Sequence, residues 1–183
     1  MPVSSGSSLL DALKRSTDVL RKERVPYVLI GAWALTAWGK PRATLDLDFL
    51  VLVNAAGLDR LGSQMTQSGM IVDEEWLDLN PMLRGSQLHL RFKTAAIDLL
   101  RPRDLHDRQV FRHKRRKRLG DGSYWVVAPE DFILQKFKVR RPRDFEDALS
   151  VLERSGAGLD RGYLRRWARR LGIASELDYL LSL

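Results

Sequence analysis

The sequence contains no cysteine, only three histidines and no long apolar run. Without cysteine, disulfide bonds, thiolate nucleophiles and cysteine-based zinc sites are excluded. His89, His106 and His113 have neither metal-ligand spacing nor a partner for a nucleophile, so we predict no function for them. No segment approaches the roughly 20 apolar residues of a membrane span, and MPVSSGSSLLDALKR does not resemble a secretion signal. We therefore expect a cytoplasmic protein without a membrane anchor.

Charge is unevenly distributed along the chain. The 31 Lys and Arg residues exceed the 23 Asp and Glu residues, which gives a formal net charge of +8. Residues 1–100 contain equal numbers of basic and acidic side chains, so the whole excess lies in residues 101–183. This asymmetry favours a polyanionic partner for the second half of the chain. The alternative is a basic surface that serves only solubility.

The alternation of apolar segments predicts an α+β fold around one mixed sheet, followed by a helical C-terminal region. Strands are predicted at 27–30, 45–53, 69–79, 86–92, 95–100 and 123–127. Helices are predicted at 7–23, 32–38, 54–68, 129–138, 142–153, 160–171 and 173–181. We accordingly expect an α/β core over residues 1–128, with residues 129–183 packed on it as helices.

Two acidic residues interrupt a buried strand. Asp46 and Asp48 are two residues apart, so on a strand both carboxylates project from one face, about 7 Å apart. Like charges in an apolar strand need compensation, and hard oxygen ligands suit Mg²⁺ or Mn²⁺. The alternative is structural, with Asp46 in a turn after Thr44 and Asp48 paired with an arginine.

A third acidic residue, Asp98, lies alone in the apolar strand AAIDLL. If this strand neighbours the Asp46/Asp48 strand, three carboxylates converge. Such a set of carboxylates binds the two divalent ions of in-line phosphoryl transfer. The alternative for Asp98 is a salt bridge to Arg101 or Arg103 at the end of the strand.

Several other residues are candidates for phosphate contacts. Gly31 separates a strand from a helix, so a phosphate can approach the amide groups at the helix start. Lys136 shares a helix with Phe132 and Phe137, across which its stem can reach an anion, or it is a solvated helix lysine. Arg42 either contacts phosphate or neutralises the nearby aspartates.

Asp144 and Asp147 lie near the start of a helix that Pro142 opens. Acidic side chains interact favourably with the helix dipole at this end. The pattern therefore leaves open whether the two aspartates have a structural or a catalytic role.

Four segments in order resemble one known superfamily. LIGAWAL at 29–35 and GKPRATLDLD at 39–48 closely resemble the signature of the polymerase-β-like nucleotidyltransferases. The form Arg-X-Thr-X-Asp-X-Asp is similar to the AbiEii and MenT type of minimal nucleotidyltransferase, often the toxins of toxin–antitoxin pairs. APEDFILQK at 128–136 and RRPRDFED at 140–147 resemble the helical segment of the same branch. The resemblance spans residues 27–153.

The resemblance implies a small mixed-sheet core and metal-dependent transfer of a nucleoside monophosphate from an NTP to an acceptor hydroxyl. By resemblance, the metal ligands for Mg²⁺ or Mn²⁺ are Asp46, Asp48 and Asp98, and the nucleotide contacts are Gly31, Ala32 and Lys136. Arg42 is a further candidate for nucleotide binding from its position alone. The family's turn usually reads Gly-Ser or Gly-Gly. Here it reads Gly31-Ala32, so a hydroxyl contact to phosphate is absent and only the main-chain donor remains.

The acceptor implied by the resemblance and the charge is RNA, at the 3′ end of tRNA, and a toxin would have an antitoxin partner. Basic residues at 112–118, 138–143 and 165–170 are the expected RNA surface. Tyr163 and Trp167 either stack on bases or pack in the core. One alternative is a nucleotidyltransferase acting on a small-molecule antibiotic, although the basic second half disfavours cationic aminoglycosides. Another is a catalytically silent RNA-binding module.

Overall fold

The computed structural model describes the backbone of residues 5–183 and the side chains of residues 8–183. The helices in this range are α1 (Ser5–Lys22), α2 (Gly31–Trp38), α3 (Ala55–Gln67), α4 (Glu74–Leu79), α5 (Leu105–His113), α6 (Pro129–Val139), α7 (Asp144–Ser155), α8 (Arg161–Leu171) and α9 (Ala174–Ser182). Short 3-10 turns lie at Pro81–Leu83 and Gly156–Gly158. Within the described residues, none of the helices has the length and apolar character that a membrane span requires.

The strands form one mixed sheet, in the order β3-β4-β5-β2-β1-β7-β6. They are β1 (Tyr27–Ile30), β2 (Asp46–Val51), β3 (Ile71–Val72), β4 (Gln87–Phe92), β5 (Ala95–Leu100), β6 (Arg115–Leu119) and β7 (Gly122–Val126). β2 pairs with β5, and β1 with β7, in parallel, whereas the other neighbours are antiparallel. The predicted α+β class with a mixed sheet and C-terminal helices is confirmed.

A single hydrophobic cluster includes residues from both predicted parts of the chain. Phe49 of β2 and Phe132 of α6 are among its fully buried members. Helix α2 contacts the C-terminal helices, because the Ser155 hydroxyl at the end of α7 donates to the Trp38 carbonyl at 3.2 Å. The C-terminal helices thus share the core of the sheet, and a domain boundary at residue 128 stays a prediction.

Three elements differ from the prediction. The predicted strand at 69–79 is wrong except for β3, because the Asp73 side chain accepts from the Trp76 amide at 3.1 Å and begins α4. Helix α5 and strand β6 were not predicted. β6 reads RRKRL and has no apolar alternation, so its sequence does not indicate a strand. It lies at the edge of the sheet, where charged side chains prevent pairing with other chains.

A buried carboxylate, Asp131 of α6, links three helices. It accepts from His106 Nε2 at 3.0 Å, His113 Nδ1 at 2.8 Å and the Tyr163 hydroxyl at 2.6 Å. The hydrogen bond to Asp131 raises the pKa of His113 above its ordinary value. Tyr163 therefore belongs to the core, and its predicted alternative of stacking on bases does not fit its burial.

Replacing Asp131 by alanine is expected to lower the free energy of unfolding by about 3–5 kcal/mol, because the buried donors of His106 and Tyr163 and the partly buried donor of His113 lose their acceptor. Urea denaturation of the variant measures this loss. Asp160→Ala is the matched control, since it removes only the N-cap of α8, which accepts from the Tyr163 amide at 2.8 Å, and should cost about 1 kcal/mol. Equal losses of unfolding free energy in the two variants would contradict the inference that the three hydrogen bonds to Asp131 stabilise the fold more than one helix cap does.

Candidate active site

The parallel pairing of β2 and β5 places the three predicted aspartates on one face of the sheet. Asp48 lies directly opposite Asp98, and Asp46 lies opposite Ala96. Because residues opposite each other in a sheet point to the same side, and residues two apart do so as well, the three carboxylates share one face. Asp46 is exposed, whereas Asp48 and Asp98 are partly buried. The predicted pairing of Asp48 with an arginine is not observed among the described ion pairs.

Gly31 lies against the Asp48 carboxylate at the point where β1 becomes α2. Its φ is +65°, in the left-handed region, and a Cβ here would lie 2.8 Å from Asp48 Cγ and closer still to Oδ2. No side chain caps the N-terminus of α2. The carboxylate of Asp48 and the amide groups at the start of α2 therefore face the same small region.

Asp48 experiences an excess of negative charge. Burial raises its pKa to about 6, with further contributions from the charges of Asp98 and Asp46, and Lys136 and Arg141 act in the opposite direction. The two nearby basic residues thus do not compensate the three carboxylates. A bound cation would do so, and the oxygen donors are those that Mg²⁺ and Mn²⁺ prefer. The residues present therefore fit a divalent ion held by Asp46, Asp48 and Asp98.

Asp98 is held by side chains of the neighbouring strand β4. Its Oδ1 accepts from Gln87 Nε2 at 2.9 Å and contacts His89 Nδ1 at 2.8 Å. The His89 ring in turn stacks on Trp76, with 4.8 Å between ring centroids. The predicted alternative of a salt bridge from Asp98 to Arg101 or Arg103 is wrong.

The contact of His89 with Asp98 was missed, although the sequence contains the signal for it. The predicted strands at 86–92 and 95–100 are separated by two residues, which is a typical hairpin connection. A two-residue turn pairs Phe92 with Ala95 and therefore places His89 opposite Asp98, as observed. The hairpin register would have assigned His89 to the site.

Lys136 is enclosed by acidic side chains of α7. Its Nζ lies 3.0 Å from Asp144 Oδ1 and 2.7 Å from Asp147 Oδ2, and its side chain is 12% exposed. The alternative of a solvated lysine is therefore wrong. Asp147 is shared with Arg42, whose Nε lies 3.3 Å from Oδ1. Arg42 thus pairs with Asp147, and neutralisation of the Asp46/Asp48 pair, one of its two predicted roles, is not observed among the described ion pairs.

A cavity of about 490 Å³ opens beside Gly31 and Asp48. Its lining includes Ile30, Gly31, Asp48, Leu50, Leu100, Arg101, Arg103, Asp104, Asp107, Phe132, Gln135, Lys136, Lys138, Val139, Arg141 and Asp144. Of the predicted site residues, Gly31, Asp48 and Lys136 line it together. Asp46, Asp98, Ala32 and Arg42 are not among the lining residues, although Asp46 and Asp98 share the face of Asp48.

A second group of potential ligands lies on another part of the cavity wall. Among the described residues, Asp104, His106 and Asp107 are the group of three whose ligand atoms all lie within 4.8 Å of one another. No function was predicted for His106, because the sequence did not indicate α5, the helix that Asp104 caps and that contains His106 and Asp107.

Comparisons with known proteins support a nucleotidyltransferase fold. No protein-family model matches the sequence, and no curated protein sequence matches it. The structure is similar to that of the antibiotic-resistance factor ANT(2'')-Ia, at 13% identity and a TM-score of 0.57, over 91% of this chain and 94% of that one. It is also similar to the lincosamide antibiotic adenylyltransferase LnuA, at 15% identity and a TM-score of 0.54, over 76% and 93%.

A third similar structure is an antigenic nucleotidyltransferase-like protein from Paracoccidioides brasiliensis. It is 13% identical, with a TM-score of 0.53, over 97% of this chain and 91% of that one. At these identities the likeness concerns the fold. The predicted nucleotidyltransferase-type architecture is therefore confirmed.

Proposed function

We propose that this protein is a metal-dependent nucleotidyltransferase that moves a nucleoside monophosphate from an NTP to an acceptor hydroxyl and releases pyrophosphate. The observation that supports this most directly is the position of Asp48. It lies opposite Asp98 in the sheet, against Gly31 at the start of α2, and lines a cavity that Lys136 also lines. A metal ligand, helix amide groups and a lysine thus meet around one space.

In this proposal, Asp46, Asp48 and Asp98 hold Mg²⁺ or Mn²⁺, which when bound lowers the pKa of the acceptor hydroxyl and offsets charge on the pyrophosphate. The amide groups of Gly31 and Ala32 donate to the phosphates. Lys136 contributes a positive charge that Asp144 and Asp147 hold in one orientation before the nucleotide binds. These two aspartates therefore position Lys136, in addition to stabilising the start of α7.

We propose RNA as the acceptor, with the 3′ end of tRNA as the expected site and the cytoplasm as the location. The support is a group of exposed arginines on α8 and on β6: Arg115, Arg116, Arg118, Arg165, Arg166, Arg169 and Arg170. None of these forms an ion pair within the described residues. The rings of His113 and Tyr163, 4.4 Å apart, connect the end of α5 next to β6 with α8.

The AbiEii and MenT resemblance further suggests a toxin with an antitoxin partner. A second candidate acceptor is a small-molecule antibiotic, which the likeness to two antibiotic-modifying enzymes favours. The cavity lining includes four acidic and five basic residues. It therefore lacks the strongly acidic character that would favour a cationic aminoglycoside.

The test is incubation of the protein with Mg²⁺, each labelled NTP, and either total RNA or a panel of aminoglycosides and lincosamides. We expect transfer to RNA, abolished by Asp46→Ala, and sequencing of RNA 3′ ends identifies the nucleotide and the acceptor. Transfer to a drug alone would support the second candidate. Salt-sensitive RNA binding without any nucleotidyl transfer would support the alternative of a catalytically silent RNA-binding module.

Replacing Arg165, Arg166, Arg169 and Arg170 together by glutamine is expected to reduce transfer to RNA by about 10- to 100-fold at 0.15 M salt, because phosphate contacts are lost. The dependence of the rate on salt should also become shallower. Hydrolysis of the NTP without acceptor is the internal control and should not change. An unaltered salt dependence would exclude this surface from RNA binding.

Replacing His89 by phenylalanine is expected to lower kcat about tenfold and raise the Mg²⁺ concentration required for half-maximal rate, because Asp98 loses one of its two holding contacts. Phenylalanine keeps the stacking on Trp76. The matched control is Arg91→Gln on the same strand, since Arg91 pairs with Asp73 and not with Asp98. A lower kcat with an unchanged Mg²⁺ requirement would contradict the positioning role.

A further inference from the structure

The start of helix α5 forms a compact group of potential metal ligands. A ring nitrogen of His106 and one carboxylate oxygen each of Asp104 and Asp107 all lie within 4.8 Å of one another. Ligands bound to one ion at about 2.0–2.4 Å are separated by no more than about 4.8 Å. The group is therefore close enough to bind a single ion without moving the helix.

His106 contributes a buried nitrogen that lacks a hydrogen-bond partner. The side chain is 0% exposed, and Nδ1 has no partner. Nε2 lies 3.0 Å from Asp131, which also accepts from the Tyr163 hydroxyl. Nε2 is therefore the donor to this carboxylate, and Nδ1 presents a lone pair. A histidine whose second nitrogen donates to a carboxylate is the usual arrangement of a metal-bound histidine.

The two aspartates each use one oxygen for the backbone and present the other. Asp104 Oδ1 accepts from the Asp107 amide at 2.8 Å, and Asp107 Oδ2 accepts from the Arg103 amide at 2.9 Å. The remaining oxygens, Asp104 Oδ2 and Asp107 Oδ1, both lie 2.7 Å from Lys138 Nζ. The backbone contacts thus fix both carboxylates, and a flexible ammonium group occupies the position of a cation.

We propose that Asp104, His106 and Asp107 form a second metal site, for a divalent transition ion such as Mn²⁺, Co²⁺ or Zn²⁺, and that Lys138 occupies it when no metal is bound. The nitrogen ligand selects this class over Mg²⁺ and Ca²⁺, which prefer oxygen donors. Both aspartates line the cavity of Asp48, so the ion would lie at the wall of the same cavity. The site does not depend on nucleotidyl transfer.

The test is titration with Co²⁺, followed by its visible absorption and by calorimetry, on the full chain without a histidine tag. All variants carry Asp48→Asn and Asp98→Asn, which remove two carboxylates of the proposed catalytic metal site. Absence of Co²⁺ binding in these proteins is therefore distinct from absence of nucleotidyl transfer in the wild type. We expect one Co²⁺ per chain, with an absorption spectrum of nitrogen and oxygen ligation. Asp104→Asn retains the N-cap of α5 and should weaken binding at least about tenfold.

Removing the Lys138 ammonium group, which competes with the metal ion, should strengthen Co²⁺ binding. Lys138→Met should tighten Co²⁺ binding about tenfold or more, because the two carboxylates then lack a cation. The matched control is Lys40→Met, which removes the same charge from an exposed pair with Glu153 and should leave binding unchanged. Absence of stoichiometric Co²⁺ in the Lys138→Met protein, or equal binding by Asp104→Asn, would overturn the proposal.

Discussion

Replacing Asp48 by asparagine is expected to lower nucleotidyl transfer at least about 1,000-fold and to raise the stability of the metal-free protein. The first effect follows because the loss of a proposed metal ligand would remove several kcal/mol of transition-state stabilisation. The second follows because the ionised carboxylate is unfavourable in the folded chain, where burial and the charges of Asp98 and Asp46 raise its pKa to about 6. Asparagine has nearly the same shape and removes the charge.

The stability effect has a defined size and pH dependence. The rise of the Asp48 pKa from 3.8 to about 6 corresponds to roughly 3 kcal/mol. Because the folded state binds this proton more tightly than the unfolded state, the penalty is absent below pH 3.8 and complete above about pH 6. Asp48→Asn should therefore be more stable than the wild type at pH 7.5 by up to about 3 kcal/mol, and the difference should vanish near pH 4.

Urea denaturation at the two pH values, with and without Mg²⁺, measures this difference. Mg²⁺ should stabilise the wild type and have a smaller effect on the variant, because the ion compensates the same carboxylates. A matched control is Asp59→Asn, which removes one exposed carboxylate from α3. If Asp48→Asn were less stable than the wild type at pH 7.5, burial and the charges of Asp98 and Asp46 would not destabilise the ionised Asp48 as inferred.

Replacing Gly31 by alanine is expected to reduce transfer at least about 100-fold and to lower the free energy of unfolding by more than about 2 kcal/mol. A new Cβ would overlap the Asp48 carboxylate and must displace it or the start of α2. The displacement moves Asp48, a proposed metal ligand, relative to the helix amide groups, so we expect activity to be lost together with stability. Steady-state rates and urea denaturation measure the two effects.

The chain contains a matched control for the backbone strain alone. Gly172 has a φ of +68°, close to the +65° of Gly31, and an added Cβ there meets nothing within 4 Å. Gly172→Ala should therefore cost about 1–2 kcal/mol, the strain of a left-handed alanine, and leave the rate of transfer unchanged. Equal effects of the two variants would show that the contact of Gly31 with Asp48 has no separate importance.

Local patterns were sufficient for most of the fold. The strand with Asp46 and Asp48, the strand with Asp98 and the C-terminal helices lie where apolar periodicity predicted them, because these elements are buried and have regular patterns. The predictions failed for elements that lack this apolar periodicity. The β6 strand is almost entirely basic and pairs only with β7 among the described strands, and α5 has few buried residues.

The candidate site likewise combines features that the local sequence specifies with one that it does not. The spacing of Asp46 and Asp48 by itself fixes that they share a face, since a strand has a period of two. The sequence also contains the hairpin that places His89 opposite Asp98. The parallel pairing of β2 with β5, between residues fifty positions apart, is a long-range contact that no local pattern specifies.

What the sequence determined by itself was therefore most of the buried elements, the glycine between β1 and α2, and the identity of the acidic residues. What only the tertiary structure decided was which groups meet. It pairs Arg42 with Asp147, encloses Lys136 between two aspartates, and brings Asp104 and Asp107 together with His106 and with Lys138. The physical reason is that backbone preference acts over a few residues, whereas charge pairing depends on distances that exist only after the helices pack on the sheet.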